Sequence, residues 1–119
     1  MNYVDGFVLP VQKKKVAAYR SMAKLSAKVW LDHGALAFHK SVADDVPYGK
    51  RTSFPRSVKL KRGETVVFSW IIYKSRAHRD KVMAKVMKDP RIMAMGNPEA
   101  MPFDVKRMAY GGFNILVGA

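Results

Sequence analysis

The longest apolar pattern in the chain covers residues 64–74, ETVVFSWIIYK, which follow Gly63. β-Branched and aromatic residues dominate this stretch, and that composition favours a strand over a helix. Because successive side chains of a strand point to opposite faces of its sheet, the stretch divides into two sets. One set is Val66, Phe68, Trp70 and Ile72, and the other is Thr65, Val67, Ser69, Ile71 and Tyr73. Both sets are largely apolar, so we expect both faces of this strand to be covered.

Strand and helix patterns alternate before this central strand. Tyr3–Leu9 alternates as a first strand that ends at Pro10, and apolar side chains recur at helical spacing from Lys13 to Asp32. A weaker strand pattern follows over residues 35–43, in which Lys40 alternates in phase with Phe38. The long connection 44–63 contains one further alternating segment, residues 57–61, which predicts a short extra strand.

After the central strand the chain returns to a helix pattern and then to a strand pattern. Ser75 is a good N-cap for a second helix over residues 76–88, and Pro90 suits the first turn of a short helix. Gly96–Asn97–Pro98 predicts the end of that short helix. The last strand pattern covers residues 106–117, and Gly111–Gly112 within it indicates a bulge or a close backbone approach.

The resulting order, β-α-β-β-α-β, predicts a fold class. It is the split βαβ arrangement, an α+β fold in which an antiparallel sheet carries two helices on one face. A sheet of this kind leaves its other face bare. The apolar character of both faces therefore predicts a cover for the second one, which is a second subunit, a ligand, or both.

Composition narrows the class of protein further. At 119 residues we expect a single domain, residues 1–119. The chain has no cysteine, which excludes disulfides and cysteine zinc sites. No signal-peptide pattern and no apolar run of about 20 residues is present, so we expect a cytoplasmic protein that does not enter a membrane. No paired metal-ligand motif or phosphate-binding loop is recognisable, and we expect no metal and no cofactor.

The net charge of +13 raises the question of a polyanionic partner. The connection between the predicted strands concentrates basic side chains, and no acidic residue lies between Asp45 and Glu64. RNA binding through phosphate contacts is therefore one hypothesis, and an ordinary solvated loop is the other. The candidate nucleic-acid residues are Lys50, Arg51, Arg56, Lys59, Lys61 and Arg62.

Several short motifs occur together across nearly the whole chain. They are YVDGF at 3–7, Trp30 with HGA at 33–35, TSFP at 52–55, RAHRD at 76–80 and MPFD at 101–104. In combination they resemble a family of small bacterial proteins of unknown function in the dimeric α/β-barrel superfamily. The resemblance implies a ferredoxin-like fold whose sheets pair across a two-fold axis, hence a homodimer. Some members carry a label that links them to the 4.5S RNA of the signal recognition particle.

Two histidines are the candidate catalytic residues. His33 follows Trp30 near the end of the first helix, where it could move a proton, although a histidinium at a helix C-terminus is also favourable without any function. His78 opens the second helix and could serve as a base or ligand, with a solvated N-terminal turn as the alternative. Haem-degrading relatives in the superfamily use an asparagine, a tryptophan and a histidine, for which the corresponding trio here would be Asp5, Trp70 and His78.

Four residues are the candidate ligand-binding residues. Trp30, Trp70 and Tyr110 would shape an apolar pocket between sheet and helices, and Arg79 would hold an anionic group. The alternative is that these aromatic residues belong to the core or to a dimer interface. We therefore expect a homodimer that binds a small organic ligand, with cofactor-independent chemistry as an extension of that function and RNA binding as the competing hypothesis.

Overall fold

The computed structural model of the chain describes residues 2–97 and 100–119. It contains one antiparallel sheet in the strand order β2-β3-β1-β4. Short 3₁₀ turns at Lys13–Lys15 and Val105–Arg107 precede α1 and β4. The helices and strands are β1 Tyr3–Gln12, α1 Val16–Asp32, β2 Ala37–Val42, α2 Phe54–Ser57, β3 Glu64–Tyr73, α3 Arg76–Met87, α4 Pro90–Met93 and β4 Ala109–Asn114.

The central position of β3 confirms the interpretation of the longest apolar stretch. β3 pairs with β1 over its full length, from Glu64 opposite Gln12 to Tyr73 opposite Tyr3, and with β2 on its other side. The predicted α+β, ferredoxin-like class is confirmed. The N-cap predicted at Ser75 is confirmed, because its side chain accepts the His78 N–H. The short helix predicted to start at Pro90 is confirmed as well, and Asp89 caps it by accepting the Arg91 N–H. The short helix ends at Met93, before Gly96 and Asn97, where the sequence predicted its end; Pro98, the third residue of that prediction, lies outside the described residues.

Pro10 does not end the first strand as its sequence predicted. β1 continues through Pro10 to Gln12, and Pro10 pairs with Val66 of β3. The pairing of β1 with β4 stops at Val8. Beyond that residue β1 has a neighbour on one side only, and a proline without an N–H is tolerated at such an edge.

The short extra strand predicted over residues 57–61 is wrong. The chain forms α2 instead, with Ser53 accepting the Arg56 N–H at its start and Pro55 in its first turn. Lys59 then takes a positive φ of 50°, and the chain turns toward β3. The alternation of Val58 and Leu60 reflects the burial of Val58, which is 1% exposed, in a turn rather than in a strand.

The last strand is shorter than predicted, but the close approach expected at its glycines is confirmed. Gly112 lies opposite Asp5 on β1, and a Cβ atom there would overlap the phenol ring of Tyr3. Gly111, on the opposite face of the same strand, has room for a Cβ at ordinary contact distance. Of these two glycines, Gly112 is therefore the one that needs to be a glycine for packing reasons.

The two faces of the sheet differ in cover. Val67, Ile71 and Tyr73 of β3 pack with residues of α1 and α3 in the hydrophobic core. On the outer face, α2 reaches one end, where Phe54 contacts Phe68 with ring centroids 5.7 Å apart. The rest is open: Phe68 is 44% exposed and Phe113 of β4 is 61% exposed.

Within the described residues, no helix is long and apolar enough to cross a membrane.

Candidate functional site

A cavity of about 470 Å³ lies at the edge of the sheet between α1 and β2. Small and apolar side chains form most of its wall, because α1 presents alanines where it faces the edge strand. Its only charged lining residues are cations. The lining residues are Val16, Tyr19, Arg20, Ala23, Lys24, Ala27, Phe38, Lys40, Ser41, Val42 and Val67.

Lys40 is the polar centre of this cavity. It sits on the edge strand β2 opposite Ser69 of β3, and its register directs the side chain to the helix-facing side of the sheet. Its Nζ donates to the Ser69 hydroxyl at 3.3 Å and lies 5.2 Å from the ring centroids of both Phe7 and Phe38. Among the described residues, no carboxylate lies within ion-pair distance of this ammonium group.

Burial among aromatic rings changes the acid–base behaviour of Lys40. It lowers the pKa of the ammonium group to about 8, since desolvation disfavours the charged form. The rings of Phe7, Phe38 and Tyr19 offset part of that penalty through cation–π attraction. Lys40 is thus a cation whose pKa lies close to neutral pH, in a largely apolar cavity.

Tyr19 also contributes to the wall of this cavity. Its ring packs edge-on against Phe103, and the residue is 4% exposed. Within the described part of the chain, its hydroxyl is the one fully buried side-chain polar atom that has no hydrogen-bond partner. Burial raises the pKa of this phenol well above its ordinary value, so it stays protonated. The cavity is therefore bordered by a cation that has no carboxylate partner among the described residues, whereas the Tyr19 hydroxyl is inaccessible to solvent.

A second cavity of about 520 Å³ lies near Arg107 and is slightly larger. The acidic residues that line it and the Arg107 guanidinium bind one another. Arg107 donates to both oxygens of Glu64, at 2.8 and 2.6 Å, to Asp104 at 2.8 Å and to the Lys59 carbonyl at 3.0 Å. The hydrogen bond from Arg107 lowers the pKa of the Glu64 carboxyl. Because these groups bind one another, the cavity beside Lys40 is the better candidate site.

His33 and Trp30, two of the predicted site residues, lie at the end of α1. His33 Nε2 donates to Asp89 at 2.8 Å, and its backbone N–H caps the helix. Arg91 also donates to Asp89, and these hydrogen bonds hold the pKa of the Asp89 carboxyl well below its usual range. Trp30 donates from Nε1 to the Tyr73 hydroxyl at 3.1 Å. Both side chains thus join elements of the fold.

His78 and Arg79, the predicted residues on α3, are likewise engaged. His78 Nδ1 accepts the Lys74 backbone N–H at 3.0 Å, and its ring meets Tyr73 edge-on. Arg79 donates to Asp5 at 2.6 Å, which explains a carboxylate inside an apolar strand. Burial raises the pKa of Asp5, while the ion pair with Arg79 opposes that shift.

Trp70 and Tyr110 lie apart from the other predicted pocket residues. Trp70 is on the outer face of the sheet, where it stacks on His39 with ring centroids 5.1 Å apart. Tyr110 is on β4 at the far edge from β2, 73% exposed and stacked on Phe7. The six predicted residues therefore do not line one pocket. The haem-type trio does not assemble either, because Trp70 and Asp5 occupy opposite faces of the sheet.

Two residues of the basic segment, Lys61 and Arg62, line a cavity of about 500 Å³ together with Lys13 and Lys14. Arg56 donates from Nε and Nη2 to the Gly49 carbonyl at 3.1 and 2.9 Å and lies 4.6 Å from the Tyr48 ring centroid. The other candidates are exposed, namely Lys50, Arg51, Lys59, Lys61 and Arg62.

In residues 2–97 and 100–119, no group of three or more acidic or histidine side chains is arranged to hold a metal ion.

Sequence reasoning missed Lys40, Ser69 and Tyr19 as site residues. One signal for Lys40 was present, since it falls in phase with Phe38 on a strand whose inner positions are otherwise apolar. A lysine at such a position pairs with a carboxylate, borders a cavity, or extends its aliphatic stem toward solvent. The absence of a hydrogen-bond partner for Tyr19 depends on tertiary packing and has no counterpart in the sequence.

A four-stranded antiparallel sheet with its main helices on one face defines a ferredoxin-like α+β protein. The chain belongs to the family described as protein of unknown function (DUF1428), which matches residues 2–105. It is 49% identical over 117 residues to the uncharacterized protein YbaA of Escherichia coli strain K12, covering 98% of each chain. A YbaA protein from Shigella flexneri matches with the same identity and coverage. The resemblance to a family of unknown function is thereby confirmed.

Solved structures share the fold at low sequence identity. An uncharacterized NIPSNAP domain protein from Burkholderia xenovorans superposes with a TM-score of 0.61 at 12% identity, covering 98% of this chain and 99% of that one. A dimeric ferredoxin-like protein from an uncultured marine organism superposes with a TM-score of 0.52 at 14% identity, covering 95% and 92%. At these identities the similarity concerns the fold alone.

Proposed function

We propose that this protein binds a small organic ligand in the cavity between α1 and β2. The observation that carries the proposal is the placement of Lys40, a partly buried cation without a carboxylate partner among the described residues, in a cavity of about 470 Å³. Ligand sites typically combine an apolar wall with a few polar groups that fix orientation. The cavity volume falls within the range of about 300 to 1,000 Å³ that such sites occupy.

The uncompensated charge of Lys40 favours a ligand-binding role for this residue over a purely structural one. Burying an ammonium group opposes folding unless its charge is compensated. Aromatic rings and one hydroxyl compensate only partly, so the site is electrostatically incomplete. An apolar side chain would fill the same space without the cost of desolvating a charge. A ligand that pairs with this charge gives the lysine a role that packing alone does not.

Titration with 1-octanol, a neutral apolar probe, tests the proposal. Backbone amide chemical shifts of β2 and of the facing part of α1 should move saturably. Ala27→Phe fills the cavity and should abolish these shifts, whereas Ala18→Phe, on an exposed position of the same helix outside the cavity, should leave them intact. The absence of shifts at millimolar octanol, or equal shifts in both variants, would contradict ligand binding at this site.

We further propose that two copies pair through the outer face of the sheet. Phe68 and Phe113 expose apolar surface there, and Leu116 and Val117 beyond β4 are 86% and 83% exposed. Contiguous exposed apolar surface usually marks an interaction site. The description of one structural neighbour as dimeric also supports this proposal. RNA binding gains no comparable support, because it rests on the charge of an exposed segment.

A further inference from the structure

The charges around the cavity beside Lys40 all have one sign. Arg20 and Lys24 of α1 border the cavity together with Lys40, and no acidic residue lines it. The neighbouring strands contribute only uncharged groups to Lys40, namely Phe7 from β1 and Val67 and Ser69 from β3. Any ligand of this cavity therefore meets cationic side chains together with apolar ones.

We propose that the ligand of this cavity is an apolar carboxylate, whose anionic group pairs with the Lys40 ammonium and whose hydrocarbon part lies against α1. This inference rests on the proposed function and names the chemical class of its ligand. A carboxylate supplies the counter-charge that the partly buried ammonium lacks, and charge-assisted hydrogen bonds are among the strongest available to a site. A neutral ligand would leave the desolvation of Lys40 uncompensated.

The remaining features of the cavity agree with an ordinary organic acid. Val16, Ala23 and Ala27 present methyl groups along α1, which suit an aliphatic or aromatic body. Phe38 closes the wall beside Lys40 and contacts Trp30 of α1 with ring centroids 5.6 Å apart. The side chain of Tyr19 contributes to the same wall.

The ionisation state of Lys40 makes the inference testable by pH. Because burial brings the pKa of Lys40 to about 8, the ammonium is mainly charged at pH 7 and mainly neutral at pH 9.5. A bound carboxylate stabilises the charged form, so its affinity should fall across this interval. The affinity of a neutral ligand with the same hydrocarbon chain should not fall.

The experiment compares octanoate with 1-octanol by calorimetric or chemical-shift titration of the full chain. Octanoate should bind the wild-type protein at least about tenfold more tightly than octanol at pH 7, the effect expected of one charge-assisted hydrogen bond. Lys40→Met and Lys40→Gln should each abolish this preference and its pH dependence while preserving octanol binding. Lys81→Met, which removes an exposed lysine from α3, controls for the change in net charge and should preserve both.

The outcomes separate the two proposals. If octanol binds but octanoate binds no more tightly, or if the Lys40 variants keep the preference, the carboxylate inference is overturned and the ligand-binding proposal stands. If neither probe binds, both fall. If octanoate loses affinity with rising pH equally in wild type and in Lys40→Met, another cation is responsible and the inference is again overturned.

Discussion

The ammonium of Lys40 and the hydroxyl of Ser69 face each other across the edge of the sheet, 3.3 Å apart, on its helix-covered side. Ser69 is fully buried, and Lys40 is the cation that its hydroxyl accepts from. The pair shows how an edge strand can place a charged group inside a fold: the aliphatic stem lies under α1 and the charge ends at a cavity.

Lys40→Met should stabilise the protein at pH 7. The pKa of Lys40 lies below that of an unfolded lysine, so the unfolded chain binds more protons between about pH 8 and 10.5. Wild-type stability should therefore rise with pH over this window relative to the variant, and the advantage of Lys40→Met should shrink. We expect an advantage of roughly 1 to 3 kcal/mol at pH 7.

Urea unfolding of both proteins at pH 7 and pH 9.5 measures this difference. The comparison between variants removes the effect of other groups that titrate in the same range. An advantage that is the same at the two pH values would show that Lys40 is not desolvated as the structure indicates.

Arg79→Met should destabilise the fold by leaving the Asp5 carboxylate unpaired inside the sheet. Asp5 is 8% exposed, while the Arg79 side chain is 22% exposed. We therefore expect a loss of roughly 1 to 3 kcal/mol, between the values for exposed and fully buried pairs. The double variant Asp5→Asn with Arg79→Met should recover part of that loss, and a double-mutant cycle in chemical denaturation measures the coupling. Strictly additive losses would argue against the ion pair.

Gly112→Ala should destabilise the protein by about 1 to 3 kcal/mol, because the added methyl group overlaps the Tyr3 ring. Gly111→Ala is the matched control on the same strand, where a Cβ meets Phe113 at 3.6 Å, an ordinary contact. Thermal unfolding of the two variants decides the matter. Similar melting temperatures for both would contradict the close packing of Tyr3 on β4.

Phe68→Asp should dissociate the proposed dimer, since it introduces a charge on the exposed outer face. Sedimentation of the wild-type protein should give twice the 13.4 kDa chain mass, and the variant should give that mass once. Leu25→Asp is the control, because Leu25 is similarly exposed, at 38%, but lies on α1. A wild-type protein that sediments as a single copy at micromolar concentration would overturn the dimer proposal.

The sequence predicted the sheet better than it predicted the site, and the reason is physical. The two-sided apolar pattern of residues 64–73 could only suit a central strand, and the caps at Ser75 and Asp89 are local interactions. Alternation alone, however, does not say which face of a strand meets the helices. Trp70 was therefore grouped with Trp30, although the register places them on opposite sides of the sheet.

The errors in the connections have a different origin. Where a strand ends depends on the strands beside it. β1 can continue through Pro10 because β4 no longer pairs with β1 at that residue. The turn around Val58 depends on the burial of this residue by the rest of the fold. The alternation that results in the sequence resembles the pattern of a short strand. His33, His78 and Arg79 carry polar groups typical of active sites, but partners distant in sequence, such as Asp89 and Asp5, engage His33 and Arg79.

Arg107 has a consequence for how the molecule opens. Its guanidinium holds the carbonyls of residues 58 and 59, the Glu64 carboxylate at the start of β3, and Asp104 beside the final strand. Arg107 thus joins the C-terminal segment to the connection that contains α2. Release of either should loosen the other, so amide hydrogen exchange in the two regions should proceed as a single cooperative unit rather than as independent fluctuations.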